Sequence, residues 1–496
     1  MKNLLLGGFE GRLFFALLLS FALSVSLTDR QVKDRSGSLL SGAVLNSWDL
    51  PLLMGLLLAL SFFLEGIVST VQVIVPSFFS ITIYISIYYA LLISFTSALR
   101  KYISPASTTV LWMIPNYLYF AFFAPGLFKK PLFSVKINRT FSDLLPWIYV
   151  AGFLVFLIFK ITSHIIFRHN ILKNSSLIED EAILKVFEEE KEETGLAGLN
   201  INIYNSSEIK TPLSIGLFKR TVFVALPSYN YSTDELHLIF RHELVHISRK
   251  DSLNKFFIAF CQALCWFNPL IYAAMKKCSE DIEMNCDELT MRGENLQRRK
   301  DYATLILNSS VDERGFSSCL SASAKSLKLR LKNILNPKKR YIGSSLAAFM
   351  MFLLIMAGGS FTFALEKGTA KEYLYTDDGR FLNSVSVYDE DASPKERYMM
   401  YPLKDADALE NYLSEIKLYK YTDLYRYEKN DVGYKFAFNY FDGEKLLGLT
   451  LYPEYLHIKY PKGSDLAGEY LVFDEKIDKN AVLGFLDTNG RTVSAF

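Results

Sequence analysis

The sequence predicts a multi-span α-helical membrane protein that carries an α+β domain before its last span and a small α+β domain after it. Three observations support this fold class. Half of the 496 residues are hydrophobic and the mean hydropathy is +0.17, which is high for a soluble chain of this length. The apolar residues cluster in stretches long enough to cross a bilayer. Between and after the last two stretches, the chain has the periodicity of folded helices and strands.

Residues 1–167 are predicted to form a transmembrane region of about five spans, and residues 341–365 one further transmembrane helix. The apolar stretches lie at 13–27, 52–71, 78–99, 108–127, 147–167 and 342–365. The first of them also fits a signal peptide because Lys2 precedes it, although Glu10 and Arg12 interrupt such a segment poorly. The number of N-terminal spans therefore stays open.

Basic residues beside the spans predict the sidedness of the two domains. Arg168 follows the fifth stretch, and the basic run 338–340 precedes the last one. Because Lys and Arg favour the cytoplasmic side, residues 168–340 are expected in the cytoplasm and residues 366–496 outside the cell. All five cysteines precede the last span, which agrees with a reducing compartment for the first domain. Counting the spans back from the cytoplasmic domain places the basic loop at 129–139 outside the cell, against the rule that Lys and Arg favour the cytoplasmic side.

The strongest chemical signal is the motif His242-Glu243-Leu244-Val245-His246. A capping box at Ser232 and Glu235, followed by an apolar face, predicts that the motif lies within a helix. Residues four apart share one face of a helix, so both imidazoles can bind one zinc ion. Glu243 can then take a proton from a water on that ion. The alternative is a pair of polar residues on a half-buried helix.

Glu283 is the candidate third ligand, and Asp287 lies one turn later on the same predicted face. A carboxylate from a second helix completes a His, His, Glu site of the thermolysin type and leaves one position for water. Cys286 is a conceivable soft ligand, but we interpret it as a small buried residue. His237 lies off the face of the motif and is expected at the surface.

The apolar segment 256–275 should not be a span, although it is long enough. A single crossing would put His242 and Glu283 on opposite sides of the bilayer, and the 36 residues between His246 and Glu283 are too few for two crossings with connections. The segment is therefore expected to be buried within the zinc domain, or to lie in the interface with a bend at Asn268-Pro269.

In order and spacing, residues 200–310 resemble the BlaR/MecR-type antirepressor metallopeptidases. The resemblance is carried by Thr211-Pro212, Leu226-Pro227, the His-Glu motif with Arg249-Lys250-Asp251, Trp266-Phe267-Asn268-Pro269-Leu270, and the run from Glu283 to Asp287. It implies a cytoplasmic gluzincin-like zinc domain in residues 168–340. By the same resemblance His242, His246 and Glu283 are Zn²⁺ ligands, Glu243 is the catalytic base, and Asp287 orients a ligand imidazole.

The family resemblance further implies a multi-pass protein of the bacterial plasma membrane. An extracellular sensor would control site-specific zinc endopeptidase activity on a cytoplasmic regulator such as a transcriptional repressor, with self-cleavage. In the best-known members a β-lactam acylates a transpeptidase-like sensor. Here the tail after the last span has about 130 residues, about half of what such a sensor needs, and lacks a complete set of its motifs. Ser414-Glu415-Ile416-Lys417 matches one of them, but by chance in our interpretation.

The tail 366–496 is nevertheless predicted to be a folded acidic module. Strands are expected at 434–440, 446–452 and 455–460 with a turn at Asp442-Gly443, and helices at 405–418 and 478–486. This module either binds an extracellular ligand or partner that the sequence does not identify, or serves as a spacer.

A basic linker joins the zinc domain to the last span and includes Ser326-Leu327-Lys328-Leu329-Arg330-Leu331-Lys332. One interpretation is an amphipathic helix on anionic lipid headgroups. The other is an element that transmits the sensor's state and is itself cleaved. We favour the lipid contact, and the two are compatible.

Three functions are consistent with the sequence. The favoured one is a signal-controlled membrane zinc endopeptidase acting on a cytoplasmic protein. The second is a constitutive quality-control protease of the HtpX or CAAX-prenyl-protease type, in which membrane segments separate the motif from the distal Glu. The third is a non-enzymatic receptor with a degenerate site. Besides the cytoplasmic substrate, the expected partners are the lipid bilayer and an unknown extracellular ligand or partner. No motif for direct nucleic-acid binding rises above noise, and a homodimer is left open.

Overall fold

The computed structural model describes most of the chain. The described residues are 8–36, 49–73, 75–121, 131–216, 221–228, 231–311, 324–338, 340–341, 343–358, 360–374, 381–393, 397–402, 407–422, 434–442, 445–459, 470–487 and 492–494. Every statement below about the structure concerns these residues.

The N-terminal part is mainly helical. Its elements are α1 Gly8–Ser36, α2 Asp49–Glu65, α3 Ile67–Val73, α4 Val75–Tyr102, α5 Pro105–Met113, a 3-10 helix Ile114–Tyr117, α6 Leu118–Ala121, the strand β1 Phe133–Ile137 and α7 Arg139–Lys173. The middle part follows with β2 Ser175–Leu177, α8 Glu181–Glu193, β3 Asn202–Ser206, β4 Leu213–Ile215, β5 Phe223–Pro227, α9 Thr233–Ser248, α10 Asp251–Leu264, α11 Pro269–Thr290, α12 Leu296–Val311 and α13 Ala324–Leu335.

The C-terminal part begins with the apolar helix α14 and continues as a sheet with short helices. Its elements are α14 Ser344–Ala357, β6 Phe361–Thr369, α15 Ala370–Leu374, β7 Phe381–Asp389, β8 Tyr398–Pro402, α16 Asp407–Glu415, β9 Lys417–Tyr421, β10 Tyr434–Asp442, β11 Lys445–Leu451, β12 Tyr455–Lys459, β13 Tyr470–Phe473, α17 Lys479–Asp487 and β14 Thr492–Ser494.

Among the described residues, two helices are long and apolar enough to cross a membrane, α4 and α7. They contain the predicted spans 78–99 and 147–167. The stretches 13–27, 52–71 and 342–365 correspond to shorter apolar helices at Gly11–Val25, Pro51–Leu64 and Ser344–Ala357. The last stretch also differs at its end, because residues 361–365 are part of strand β6 and not helix.

The predicted span 108–127 is not one continuous helix. Pro115 follows α5, and the chain continues as a 3-10 helix and the short α6, with residues 122–127 outside the described part. Proline removes a helical hydrogen-bond donor and its ring opposes an α-helical preceding turn, which explains the change of helix type here. The number of spans therefore stays a prediction.

The long helices connect two α+β units at their opposite ends. In the N-terminal half of α4 the Ser80 hydroxyl lies 2.7 Å from that of Thr422, while at its other end Arg100 Nε donates to Asp281 of α11 at 2.7 Å. Likewise α7 begins beside β6 and ends beside the sheet that contains β3. The apolar helices thus separate the C-terminal unit from the middle unit.

The middle unit is built on a sheet with the order β2-β3-β5-β4, in which β3 and β5 are parallel. Helix α9 packs on it through an apolar face that includes Leu236, Ile239, Phe240 and Leu244. The predicted capping box is present: the Ser232 hydroxyl accepts from the Glu235 amide at 3.3 Å, and the Glu235 carboxylate accepts from the Ser232 amide at 2.9 Å. The motif therefore starts from a firmly capped helix.

Residues 256–275 form the bend of a helical hairpin made by α10 and α11. The two helices are separated at 265–268, and Asn268 caps α11 by accepting from the Leu270 amide at 3.0 Å. The hairpin packs among α4, α5 and α7 and shares their core, instead of lying in the core of the middle unit or flat in an interface as expected. Tyr149 of α7 donates to the Leu264 carbonyl at 2.7 Å, so the bend reaches deep between the apolar helices. The start of α10 and the end of α11 still lie on the same side of the apolar helices, beside α9.

The C-terminal unit is a sheet with the order β1-β6-β9-β13-β12-β11-β10-β7-β8-β14. The expected strands appear as β10, β11 and β12. Helix α16 lies inside the helix expected at 405–418, and α17 lies within about one residue of the helix expected at 478–486. The match Ser414–Lys417 is divided between α16 and β9, and Gly443 of the predicted turn lies outside the described residues. Strand β1, from the loop before α7, pairs in parallel with β6. The loop at 129–139 is thereby joined to the C-terminal unit at its described part.

Candidate metal centre

The two motif histidines and Glu283 bring three donor atoms to one point. His242 and His246 lie one turn apart on α9, with ring centroids 4.7 Å apart, and α11 packs against this face. The Nε2 atoms of His242 and His246 lie 3.8 and 3.7 Å from the same oxygen of Glu283, Oε2. Ligands of a tetrahedral zinc ion at 2.0–2.1 Å are about 3.4 Å apart. The two Nε2–Oε2 distances are therefore a few tenths of an ångström longer than the spacing of zinc ligands.

The His246 ring is held in place by Asp251, the first residue of α10. The Asp251 carboxylate lies 2.8 Å from His246 Nδ1 and is buried, and Asn254 donates to its other oxygen at 3.0 Å. Lys250, between α9 and α10, has left-handed backbone angles (φ 57°, ψ 40°), which turn the chain sharply and bring Asp251 back to the motif. A carboxylate at Nδ1 keeps the proton there and leaves Nε2 free to bind a metal.

The His242 ring is held through a tyrosine. The Tyr302 hydroxyl lies 2.7 Å from His242 Nδ1 and donates to Asp287 Oδ1 at 2.9 Å. Asp287 itself is 3.8 Å from His242 Nδ1, beyond hydrogen-bond distance. The orienting role expected of Asp287 is therefore relayed by Tyr302, a residue that no motif in the sequence marks. Tyr302 lies on α12, and no spacing rule connects that helix to the motif.

Cys286 is closer to the site than its interpretation as a small buried residue implies. Its Sγ lies 3.3 Å from His242 Nδ1, and the donor atoms of His242, His246 and Cys286 fall within 4.8 Å of one another. Two ligand sets are thus possible. We favour Glu283 over Cys286 because its oxygen faces the Nε2 atoms of both rings, whereas Cys286 approaches His242 at Nδ1, where Tyr302 also binds.

Charge in the site favours an ionised Glu283. Burial alone would raise the pKa of this carboxyl group, but His246, Arg330 and Lys255 hold the pKa well below its usual range. The Lys255 ammonium lies 3.8 Å from Glu283 Oε1. Burial would also raise the pKa of the Cys286 thiol, and the two imidazoles lower it. Glu243, the expected base, is buried beside His242 on α9.

His237, near the motif, differs from its expected surroundings. His237 is not a free surface residue: its Nδ1 lies 2.8 Å from the buried Glu190 carboxylate. Arg241 donates to the same carboxylate at 2.8 Å and also pairs with Glu193 and Glu294. This ion-pair cluster fastens α9 to α8 and to the segment between α11 and α12.

Known proteins are similar to the part of the chain that contains this site. Residues 133–334 match the family model described as BlaR1 peptidase M56. Regulatory protein BlaR1 of Bacillus licheniformis is 25% identical over 213 residues, which make up 41% of this chain and 35% of that protein. The methicillin resistance mecR1 protein of Staphylococcus aureus is 27% identical over 178 residues, 35% of this chain and 29% of that protein. The matched part spans about a third of the length of these relatives.

Proposed function

Since residues 133–334 form a domain of the BlaR1 peptidase M56 family, we propose that this chain is a membrane zinc metalloendopeptidase that converts a signal into cleavage of a protein. Peptidases of this family are generally zinc-dependent. The single observation that carries the proposal is the convergence of two imidazole Nε2 atoms and one carboxylate oxygen beside Glu243.

The residues would divide the work as follows. His242, His246 and Glu283 would hold the ion, and zinc bound there would supply the Lewis-acid chemistry that activates a water and polarises a peptide carbonyl. Glu243 takes the proton from the water and delivers it to the leaving amine. Asp251 and Tyr302 fix the two rings with their Nδ1 atoms turned away from the site.

We propose that the middle unit, which lies within residues 168–340, faces the cytoplasm and that the C-terminal unit in 366–496 faces the exterior of a bacterial plasma membrane. The proposal is supported by the basic residues that flank the middle unit and by the attachment of the two units to opposite ends of α4 and α7. The C-terminal unit would receive a signal from an extracellular ligand or partner. Acylation by a β-lactam is not proposed, since Ser414 and Lys417 lie on different elements.

The substrate we propose is a cytoplasmic regulator, such as a transcriptional repressor, and self-cleavage accompanies its cleavage. The chain itself does not contact nucleic acid in this scheme, and a homodimer is compatible with it. A constitutive quality-control protease is the second candidate. The α10–α11 hairpin favours this candidate, because in such proteases membrane segments separate the motif from the distal Glu. In this chain, the segment between the motif and Glu283 does pack among apolar helices.

The test compares cells that express the wild-type chain, Glu243→Gln, or the exposed control Glu192→Gln, by sequencing the new N-termini of cellular proteins. We expect a few cytoplasmic cleavages, dependent on Glu243 and including a DNA-binding protein, in the wild type and the control. Zinc content measured in the purified proteins should be equal in all three. Cleavage of many unrelated membrane proteins would favour quality control, and identical cleavage by Glu243→Gln would contradict a peptidase.

A further inference from the structure

The basic linker helix α13 enters the zinc site through Arg330. The helix packs against α11 and α12, and its exposed face carries Lys328 and Lys332. The Arg330 side chain points the other way and is only 15% exposed. Lipid headgroups can therefore contact the lysines of this helix, but Arg330 belongs to the interior of the middle unit.

Arg330 makes a two-point contact with Asp287. Its Nε donates to Oδ2 and its Nη2 donates to Oδ1, both at 2.8 Å. Its third nitrogen, Nη1, lies 3.5 Å from Oε2 of Glu283, the oxygen that faces both histidines. A bidentate guanidinium–carboxylate pair is directional as well as strong, and an ammonium cannot reproduce it.

This contact reaches both sides of the zinc site. Asp287 accepts from Tyr302, which in turn holds the His242 ring. One guanidinium thus fixes the carboxylate behind one ligand and lies beside another ligand. Without it, the buried Asp287 carboxylate would lose its bidentate cation, and Glu283 would lose one of the cations beside it.

Helix α13 is also held to the end of α4 through the short segment that precedes the apolar helix α14. Arg340 Nη2 donates to Asn333 of α13 at 2.7 Å, and Arg340 Nε donates to the Arg100 carbonyl at the end of α4 at 3.1 Å. Tyr341 then pairs with the backbone of Tyr102, and α14 runs from there to β6 of the C-terminal unit. Arg330 therefore lies on a helix that is joined, through this segment and α14, to strand β6 of the C-terminal unit.

We propose that Arg330 is a positioning residue of the zinc site, so that docking of α13 sets the affinity for zinc and the turnover. The inference rests on the proposed zinc site and deepens it: the linker supplies a component of the peptidase, and its displacement would lower activity. A signal transmitted by α14 would act by changing how α13 seats against α11.

The test uses the full chain in detergent with Arg330→Gln, Arg330→Lys and the matched surface control Lys328→Gln. Zinc affinity is measured by competition with a chelator, together with kcat, KM and the melting temperature of the metal-free protein. We expect Arg330→Gln to weaken zinc binding about tenfold, the lower end of the effect of residues that support metal ligands, and to lower kcat more than KM. Arg330→Lys should recover only part of the affinity, and Lys328→Gln should match the wild type.

A double-mutant cycle keeps the inference testable if Arg330→Gln is poorly folded. In an Asp287→Asn background the further replacement of Arg330 should change zinc affinity by much less than tenfold, because its acceptor has lost its charge. Unchanged zinc affinity in Arg330→Gln would overturn the proposal, as would an increase in kcat, which would make the contact inhibitory. An equal loss at Lys328 or undiminished loss in the Asp287→Asn background would also overturn it. The zinc affinity is measured without any substrate turnover. An inactive wild-type protein would therefore refute the proposed peptidase activity, whereas the zinc titration would still test the role of Arg330.

Discussion

Asp251→Asn is the replacement that most directly tests how the metal centre is held. Asp251 Oδ2 lies 2.8 Å from His246 Nδ1 and 3.5 Å from Arg249 Nε, and Oδ1 accepts from Asn254 at 3.0 Å. An Asn side chain offers a single oxygen to these three donors, and its own NH₂ group would face at least one of them. Because Asp251 is only 1% exposed, water cannot replace the lost acceptor.

The expected effect is a weakening of zinc binding by about 10–100-fold, the range found when groups behind ligand histidines are removed. Each factor of ten is about 1.4 kcal/mol, so the binding free energy should fall by about 1.4–2.8 kcal/mol. This magnitude agrees with the loss of one hydrogen bond to a charged group, about 1.5–3 kcal/mol.

The measurement is a competition titration of zinc against a chelator on detergent-purified protein, with the metal-free melting temperature measured in parallel. Asp234→Asn is the matched control, since this aspartate lies on the same helix as the motif but is 84% exposed in its side chain. Asp234→Asn should keep wild-type affinity. If Asp251→Asn bound zinc as tightly as the wild type, His246 would not be the ligand described here, or its ring would be held by other contacts.

Three further predictions concern the ligand set, the helical core and the topology. Glu283→Ala should lose most of its zinc on dialysis while Cys286→Ser keeps it, measured by metal analysis; the reverse result would make the cysteine the third ligand. Asp281→Asn should lower the free energy of unfolding by about 3 kcal/mol, because it breaks the ion pair between the fully buried Asp281 of α11 and the largely buried Arg100 of α4, and a denaturant titration with a change below 1 kcal/mol would contradict this. In a cysteine-free background, a cysteine at Ser414 should react with an impermeant reagent on intact cells, whereas one at Ser279 should react only after permeabilisation; labelling in the opposite order would reverse the proposed orientation.

The sequence predicted the part of the metal centre that is encoded locally. The capping box at Ser232 and the spacing of the two histidines depend on one helix, so their geometry follows from helical periodicity. Glu283 was found because it lies in a recognisable run after an apolar segment. The groups that hold these ligands were missed for the opposite reason: Tyr302 and Arg330 reach the site from α12 and α13, and only tertiary packing brings them there.

The limits of the predicted fold have similar causes. Residues 361–365 were assigned to the last span because they continue its apolar run, and only the helix end at Ala357 and the pairing of β6 with β1 and β9 separate them. Strand β1 itself has only five residues and is almost fully exposed, so its short apolar–polar alternation was not enough to predict a strand. Hydrophobicity alone does not distinguish an apolar strand from the end of an apolar helix.

The α10–α11 hairpin has a consequence for the biogenesis of the site. One helix of the hairpin carries Asp251 and the other carries Glu283, and both gain their packing from α4, α5 and α7. A chain still awaiting membrane insertion would leave the buried faces of Phe257 and Phe260 without their neighbours, and the two carboxylates would not be brought to α9. We therefore expect that the ligand set assembles only after the apolar helices have entered the bilayer. Newly synthesised chains would then have no peptidase activity until they are inserted in the membrane.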